Sequence, residues 1–205
     1  MIKEGSKAPT INLKNQENKP WKATKSNKFT VLYFYPKDDT PGCTLEGKEF
    51  TKHLPKFKSL KTEVVGISGG TTTSKEKFCK KYNLDITLLS DEDFKIAKSF
   101  GAYGEKSFMG RKYLGIHRYT YVIDSAGKVV KVFTQVKPGE HAQEVLEFLK
   151  TGKSKSTTIA TKKTATKKST PKKTVTPKKA VKKSITKKAS PKPAIKSKSK
   201  NAKKR

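Results

Sequence analysis

Short apolar runs alternate, over the first 150 residues, with segments in which apolar positions recur every three or four residues. Residues 29–36 ("FTVLYFYP") are almost continuously apolar and rich in β-branched and aromatic side chains, which predicts a strand buried on both faces. Similar runs occupy residues 63–68 and 86–90. Two more runs, residues 119–124 and 128–133, are separated by a short turn containing Gly, and they predict a hairpin.

The segments between these runs predict helices. One begins at about residues 41–43, and "TSKEKFCKKYNL" (residues 73–84) starts with capping residues and has loosely helical apolar spacing. Next, Asp91 or Asp93 would cap a helix that Gly101 ends, and "HAQEVLEFLK" predicts a last helix. Strands alternating with helices, with a hairpin near the end, predict an α/β fold with a central mixed β-sheet flanked by helices.

Composition changes sharply after residue 150. Residues 1–150 contain every Phe, Tyr and Trp, whereas residues 151–205 contain 21 of the 48 Lys and Arg and none of the 17 Asp and Glu. Without aromatic residues to bury, the second segment cannot offset the entropy lost on ordering, so we expect it to be disordered. The chain is thus predicted to have one folded domain (1–150) and a disordered basic tail (151–205).

Cysteine and histidine usage narrows the possible chemistry. The two cysteines form no CxxC motif and no disulfide framework, and the three histidines are well separated, so neither a metal nor a cofactor is predicted. The start of the chain lacks the apolar run of a signal peptide, and no segment has the roughly 20 apolar residues of a membrane span. We therefore expect an intracellular protein, in which paired cysteines are more often catalytic than structural.

Cys43 stands where the first long strand gives way to a helix, directly after a Pro-Gly pair. The thiolate is the reactive form of cysteine, and the free N–H groups and dipole of a first helical turn stabilise it. Pro41 suits such a turn, and Thr40 could cap the helix or offer its hydroxyl to a molecule that meets the sulfur. Placement alone leaves open that Cys43 is a small buried apolar residue. We interpret Asp38 and Asp39 as solvated loop residues.

The run "FYPKDDTPGCTLEGKEF" resembles the active-site segment of peroxiredoxins, because Pro36, Thr40 and Cys43 fit their PxxxTxxC pattern. The resemblance to the bacterioferritin-comigratory, or PrxQ, branch continues through "EVVGIS", "YNLDITLLSDED", "GIHRYTYVIDSAGKVV" and "HAQEVLEFL". It covers about residues 3–150. It implies a thioredoxin-like fold and a peroxidase, acting as a monomer, that reduces hydrogen peroxide and organic hydroperoxides.

The resemblance also implies a role for each matching residue. Cys43 is the peroxidatic cysteine, whose thiolate attacks the peroxide and becomes a sulfenic acid. Thr40 contacts the sulfur and the peroxide, and Pro36 shields them from water. Arg118 stabilises the thiolate and the polarised O–O bond. Glu46 positions the arginine.

Cys79 is the candidate resolving cysteine. A resolving cysteine five residues after the peroxidatic one, as some relatives have, is excluded because Lys48 stands there. A subgroup has it on the helix that here contains Cys79, which implies an intramolecular disulfide reduced by a thioredoxin-like donor. Because disulfide-bonded Cα atoms lie within about 7 Å, and two cysteines on different helices of the reduced fold are not expected to be that close, we expect local unwinding near Cys43, near Cys79 or near both. The alternative is a 1-Cys peroxidase that uses an external thiol.

The tail repeats Lys pairs separated by Thr, Ser, Ala, Val and Pro, similar to the tails of linker histones. Such a polycation binds nucleic-acid phosphates by counterion release, which predicts binding to DNA and, in a cell with a nucleus, nuclear localisation. The candidate DNA-binding residues are Lys162, Lys163, Lys167, Lys168, Lys172, Lys173, Lys178, Lys179, Lys182 and Lys183. A solubility role, or binding to RNA or acidic membranes, is the alternative.

Two other functions compete with a peroxidase tethered to DNA. One is a histone-like nucleic-acid-binding protein whose globular part is a redox sensor or a relic. The other is a disulfide reductase on the same fold, which the lack of CxxC disfavours. The joint presence of Pro36, Thr40, Cys43 and Arg118 favours the peroxidase, since a relic need not keep them all.

Overall fold

The structure, a computed structural model, describes residues 1–24 and 26–152. From residue 153 onward, the predicted basic tail and its ten candidate lysines lie outside the described residues. In chain order the elements are β1 (Lys14–Asn15), β2 (Phe29–Phe34), α1 (Pro41–Ser59), β3 (Thr62–Ser68), α2 (Thr72–Tyr82), β4 (Thr87–Ser90), α3 (Lys95–Ser99), β5 (Tyr103–Phe108), β6 (Arg111–Ile116), β7 (Thr120–Asp124), β8 (Val129–Phe133) and α4 (His141–Thr151).

Six strands form one mixed sheet in the order β1–β4–β3–β2–β7–β8. Strand β3 runs parallel to β2 and β4, because helices connect these strands, whereas β7 runs antiparallel to β2. The predicted hairpin is confirmed, since β8 pairs antiparallel with β7. Strands β5 and β6 form a separate two-stranded sheet. The predicted α/β architecture around a mixed sheet is therefore confirmed.

Strand β2 is buried on both faces, as its apolar run predicts. Val31 and Tyr33 belong to an apolar cluster that also holds residues of α1, α2 and α4. Leu32 and Phe34 belong to a second cluster, which includes α3 and part of the N-terminal segment. Successive side chains of a strand point to opposite faces, so each face of β2 anchors one cluster. This central strand fixes the point from which the loop to α1 leaves the sheet.

The predicted helices are all present, and α3 shows why one of them begins where it does. The carboxylate of Asp91 accepts hydrogen bonds from the backbone N–H groups of Ile96 at 3.2 Å and Ala97 at 2.7 Å. Asp91, rather than Asp93, therefore satisfies the free donors of this helix. None of the helices within residues 1–24 and 26–152 has the length and apolar character that crossing a membrane requires.

The β5–β6 hairpin and the short strand β1 were not predicted. The hairpin turns at Met109 and Gly110, whose φ angles of 50° and 77° are both in the left-handed region. Tight hairpin turns of this kind favour Asn-Gly or Asp-Gly, so a Met-Gly pair gives no clear sequence signal. The first four residues of β6 are all exposed, which removes the alternation of buried and exposed positions that marks a strand.

Candidate active site

Cys43 lies in the first turn of α1, with only 2% of its surface exposed. The loop from β2 reverses through Asp39, whose φ is 57°, and reaches the helix at Thr40 and Pro41. The carbonyl of Thr40 accepts the backbone N–H of Thr44 at 2.8 Å, which closes the first turn. The predicted position of Cys43 at a strand-to-helix junction is confirmed. The unpaired N–H groups of this turn favour negative charge near the sulfur.

Arg118 connects the sulfur to a buried carboxylate. Its Nη2 donates to Cys43 Sγ at 3.3 Å, and its Nη1 donates to Glu46 Oε2. Arg118 stands just before β7, and the pairing of β7 with β2 brings it to α1 across 75 residues of sequence. The structure thus brings together three of the predicted site residues, Cys43, Glu46 and Arg118.

Burial and mutual attraction shift the pKa values of Arg118 and Glu46. It raises the pKa of Glu46 to about 7, although the charge of Arg118 pulls in the opposite direction. Among the described residues, Glu46 Oε1 has no hydrogen-bond partner, which further disfavours the carboxylate anion. Burial alone would lower the pKa of Arg118, but Glu46 and Cys43 raise it above its ordinary value. The guanidinium is therefore a permanent cation beside the sulfur.

Gly42 makes room for this arrangement, which the sequence did not reveal. A Cβ added to Gly42 would lie 3.4 Å from Arg118 Nη2 and 3.7 Å from Pro138 Cγ. A methyl group at this position would already be in van der Waals contact with the guanidinium, so little room is left for a larger side chain there. The Pro-Gly pair was the available signal, but a sequence does not show which side chain a glycine faces.

Pro36 and Thr40 flank the loop that leads to Cys43. Pro36 is half-buried just after β2. Thr40 occupies the N-cap position of α1, but its hydroxyl donates to the carbonyl of Lys37 at 3.1 Å, and its side chain makes no cap hydrogen bond. Thr40 is therefore the N-cap residue, as suggested, but its hydroxyl does not cap the helix. The roles of Pro36 and Thr40 toward peroxide stay predictions.

Asp38 is not a solvated loop residue, so that interpretation is wrong. Only 10% of its side chain is exposed, and the carboxylate forms an ion pair with the buried Lys75. The sequence did not predict that Lys75 is buried, because nothing distinguishes it from the other residues among the 48 Lys and Arg. Asp39, with 47% of its side chain exposed, is a surface residue as predicted.

Cys79 lies on α2 and belongs to the same apolar cluster as Cys43. Both cysteines are free thiols in this structure. Burial raises the pKa of Cys79 to about 11, so its sulfur is held in the protonated form. Cys79 also lines a surface cavity of about 470 Å³ together with residues of the β1 region, including Glu17 and Asn18. The sulfur is thus nearly buried, but it lies next to a recess that opens to solvent.

Comparisons with known proteins show which family this chain resembles. Residues 5–132 match the AhpC/TSA family. The putative peroxiredoxin bcp of Helicobacter pylori (strain J99) is 42% identical over 149 residues, which are 72% of this chain and 98% of that protein.

Solved structures add two further similarities. A cysteine-to-serine mutant of Xylella fastidiosa PrxQ matches with a TM-score of 0.67 at 34% identity, covering 73% of this chain and 96% of that one. The bacterioferritin comigratory protein of Xanthomonas campestris, described for its alkyl peroxide reduction activity, matches with a TM-score of 0.63 at 34% identity. That match covers 68% of this chain and 90% of the other.

Proposed function

Because this chain belongs to the AhpC/TSA family and is a peroxiredoxin of the Bcp/PrxQ type, hence a thiol-dependent peroxidase with a thioredoxin-like fold, we propose that Cys43 is its peroxidatic cysteine and Cys79 its resolving cysteine. The observation that best supports the first role is the hydrogen bond from Arg118 Nη2 to Cys43 Sγ at 3.3 Å. A fixed cation beside the sulfur and the N-terminus of a helix both stabilise the thiolate, which is the form that attacks a peroxide.

In the first step the thiolate of Cys43 attacks one oxygen of the hydroperoxide. The O–O bond breaks, the sulfur is oxidised by two electrons to a sulfenic acid, and the other oxygen leaves as water or an alcohol after taking up a proton. During this step the negative charge moves from the sulfur to the leaving oxygen, and the cationic Arg118 stabilises that charge. We propose that the hydroxyl oxygen of Thr40 accepts a hydrogen bond from the O–H group of the hydroperoxide. Its own O–H group is already donated to the carbonyl of Lys37. Pro36 would exclude water.

In the second step the thiol of Cys79 attacks the sulfenic acid, forming a Cys43–Cys79 disulfide and releasing water. Structures of Xanthomonas campestris PrxQ include serine mutants of two cysteines that stand 36 residues apart, the spacing of Cys43 and Cys79. A thioredoxin-like thiol would then reduce the disulfide by thiol exchange. One chain supplies both cysteines, so we propose that a monomer completes the cycle.

Replacing Cys79 by serine tests the second step. We expect Cys79→Ser to form the sulfenic acid at Cys43 at the wild-type rate, because the substitution leaves Arg118 and α1 unchanged. Steady-state turnover with thioredoxin, thioredoxin reductase and NADPH should fall at least about tenfold, since no intramolecular disulfide can form. Normal turnover of the variant would show instead that an external thiol reduces Cys43 directly, as in a 1-Cys peroxidase.

We propose further that residues 151–205 bind DNA without sequence preference, which would place the protein at the nucleoid or, in a eukaryotic cell, in the nucleus. The proposal is supported by charge: this segment has 21 basic residues and no acidic ones. Neutralising phosphates in this way releases counterions, so binding should weaken steeply with salt. Peroxide removal would then occur next to a polymer that oxidation damages.

Replacing the ten candidate tail lysines by glutamine tests this second proposal in the full-length chain. We expect duplex DNA affinity at low salt to fall at least about tenfold and the salt dependence to become shallower, because fewer phosphates are neutralised. Fluorescence anisotropy over a salt series measures both quantities. Peroxidase activity serves as the control and should be unchanged. Equal DNA affinity of the two proteins would remove the DNA-binding role, and tighter binding to RNA or anionic vesicles would redirect it.

A further inference from the structure

A buried ion pair joins the loop that precedes Cys43 to the helix that holds Cys79. Lys75 Nζ, on α2, lies 2.8 Å from Asp38 Oδ2, although 37 residues separate them. The side chain of Lys75 is 0% exposed and that of Asp38 is 10% exposed. Lys75 Nζ also donates to the carbonyl of Gly69. Ion pairs this deeply buried are uncommon, because both charges lose their hydration.

The carboxylate of Asp38 is saturated with donors from three elements. Its Oδ2 accepts from Ser74 Oγ at 2.7 Å as well as from Lys75. Its Oδ1 accepts from Tyr35 Oη at 2.8 Å, and Ser68 Oγ lies 3.4 Å away. The end of β2, the end of β3 and the first turns of α2 therefore converge on one side chain of the loop.

The position of Lys75 relates this cluster to the disulfide chemistry. Lys75 lies four residues before Cys79, one helical turn away on α2. For the disulfide step proposed above, we infer that α2 opens near this turn, and such opening would separate Lys75 from Asp38. Until α2 opens, the sulfenic acid stays exposed to a second hydroperoxide, which would oxidise it to a sulfinic acid and leave as water or an alcohol.

We propose that the Asp38–Lys75 pair is a clamp that holds α2 folded while Cys43 reacts with peroxide, and that its release sets the rate of disulfide formation. This inference rests on the resolving role proposed for Cys79. It assigns to the two residues a kinetic role, the balance between disulfide formation and further oxidation of Cys43, in addition to their contribution to packing.

The physical basis is the asymmetry between a buried pair and a buried single charge. Removing one partner leaves the other uncompensated, which is strongly destabilising. In Asp38→Asn the ammonium of Lys75 would keep no anionic partner and no exposed surface. Burial already lowers the pKa of Lys75, and Asp38 opposes that effect. The ammonium would then either lose its proton or regain hydration by opening of α2. In both cases the ion pair no longer holds the helix, so the substitution should favour the open helix.

Hydrogen exchange and disulfide kinetics together test the clamp. In reduced Asp38→Asn, we expect amide exchange in peptides that cover α2 to accelerate at least about tenfold relative to wild type. After one equivalent of hydrogen peroxide, acid-quenched mass spectrometry should show disulfide formation faster by a similar factor. With excess peroxide, less Cys43 should reach the sulfinic acid.

Two comparisons separate the clamp from a general loss of stability. In the Lys75→Met background, Asp38→Asn should not accelerate α2 exchange, because it strands no ammonium and removes a buried carboxylate that has already lost its cation. The matched control is Asp39→Asn, which breaks a solvent-exposed pair with Lys81 and should also have less than about a threefold effect. Should Asp38→Asn fail to fold, Ser74→Ala removes one donor to Asp38 and should accelerate α2 exchange about threefold.

The outcomes are distinguishable. Unchanged α2 exchange in Asp38→Asn, or an equal effect in the Lys75→Met background, would overturn the clamp. Where wild type does form the disulfide, faster exchange in Asp38→Asn without faster disulfide formation would overturn it as well. The exchange measurement needs no peroxide. If wild type forms no disulfide at all, the resolving role of Cys79 is overturned. Faster α2 exchange in Asp38→Asn would still show, in that case, that the ion pair stabilises the folded helix.

Discussion

Replacement of Cys43 by serine is expected to lower kcat/KM for hydrogen peroxide at least about a thousandfold, to the background rate. A serine hydroxyl stays protonated at neutral pH and cannot become a sulfenic acid, so neither step of the cycle can begin. The measurement is NADPH consumption in a coupled assay with thioredoxin and thioredoxin reductase.

The substitution is a clean test because it hardly changes the size of the side chain. Cys43 is buried at the start of α1, and the thermal unfolding midpoint of Cys43→Ser should stay close to that of wild type. Cys79→Ser is the matched control, because it removes the other cysteine and leaves the first step intact. Residual turnover of Cys43→Ser near the wild-type value would mean that another group reacts with peroxide.

Replacement of Arg118 by methionine is expected to slow sulfenic acid formation at Cys43 by about a hundredfold to a thousandfold. The substitution removes the cation that donates to Sγ at 3.3 Å, while methionine fills a similar volume. Stopped-flow measurement of the first oxidation step, under single-turnover conditions, isolates this effect from disulfide reduction.

Two further variants show whether the effect is local. Arg118→Lys retains the charge but loses the planar fork that reaches Cys43 and Glu46 together, so its rate should lie between those of wild type and Arg118→Met. Without Arg118, burial alone would raise the pKa of Glu46 still further, so the carboxyl group should stay neutral and the protein folded. A rate for Arg118→Met within about threefold of wild type would show that Arg118 does not accelerate the oxidation of Cys43.

The sequence predicted the parts of the fold that periodicity and burial determine. The apolar run of β2 predicts a central strand because side chains on both of its faces are buried. The start of α3 was predicted from an acidic residue, and the Asp91 carboxylate does accept N–H groups of its first turn. The β5–β6 hairpin was missed because Met109 and Gly110 are not a typical turn pair and β6 is largely exposed.

The sequence predicted only part of the candidate site, because it does not show which side chains contact each other in the fold. The residues Cys43, Glu46 and Arg118 were identified through a motif and a family resemblance, and the structure adds the contacts that join them. The Asp38–Lys75 pair could not be predicted, because a charged residue in a loop and one on a helix are usually solvated. Only the tertiary fold shows that these two charges are buried against each other.

The most direct test of the central claim is the rate at which Cys43 itself is oxidised. Reduced wild-type protein is mixed with one equivalent of hydrogen peroxide and dimedone, and labelled peptides are located by mass spectrometry over time. We expect dimedone on Cys43 and not on Cys79, with oxidation at least about a hundredfold faster than that of free cysteine in the same buffer. Dimedone on Cys79, or oxidation of Cys43 no faster than that of free cysteine, would contradict the claim that α1 and Arg118 stabilise a reactive thiolate at Cys43.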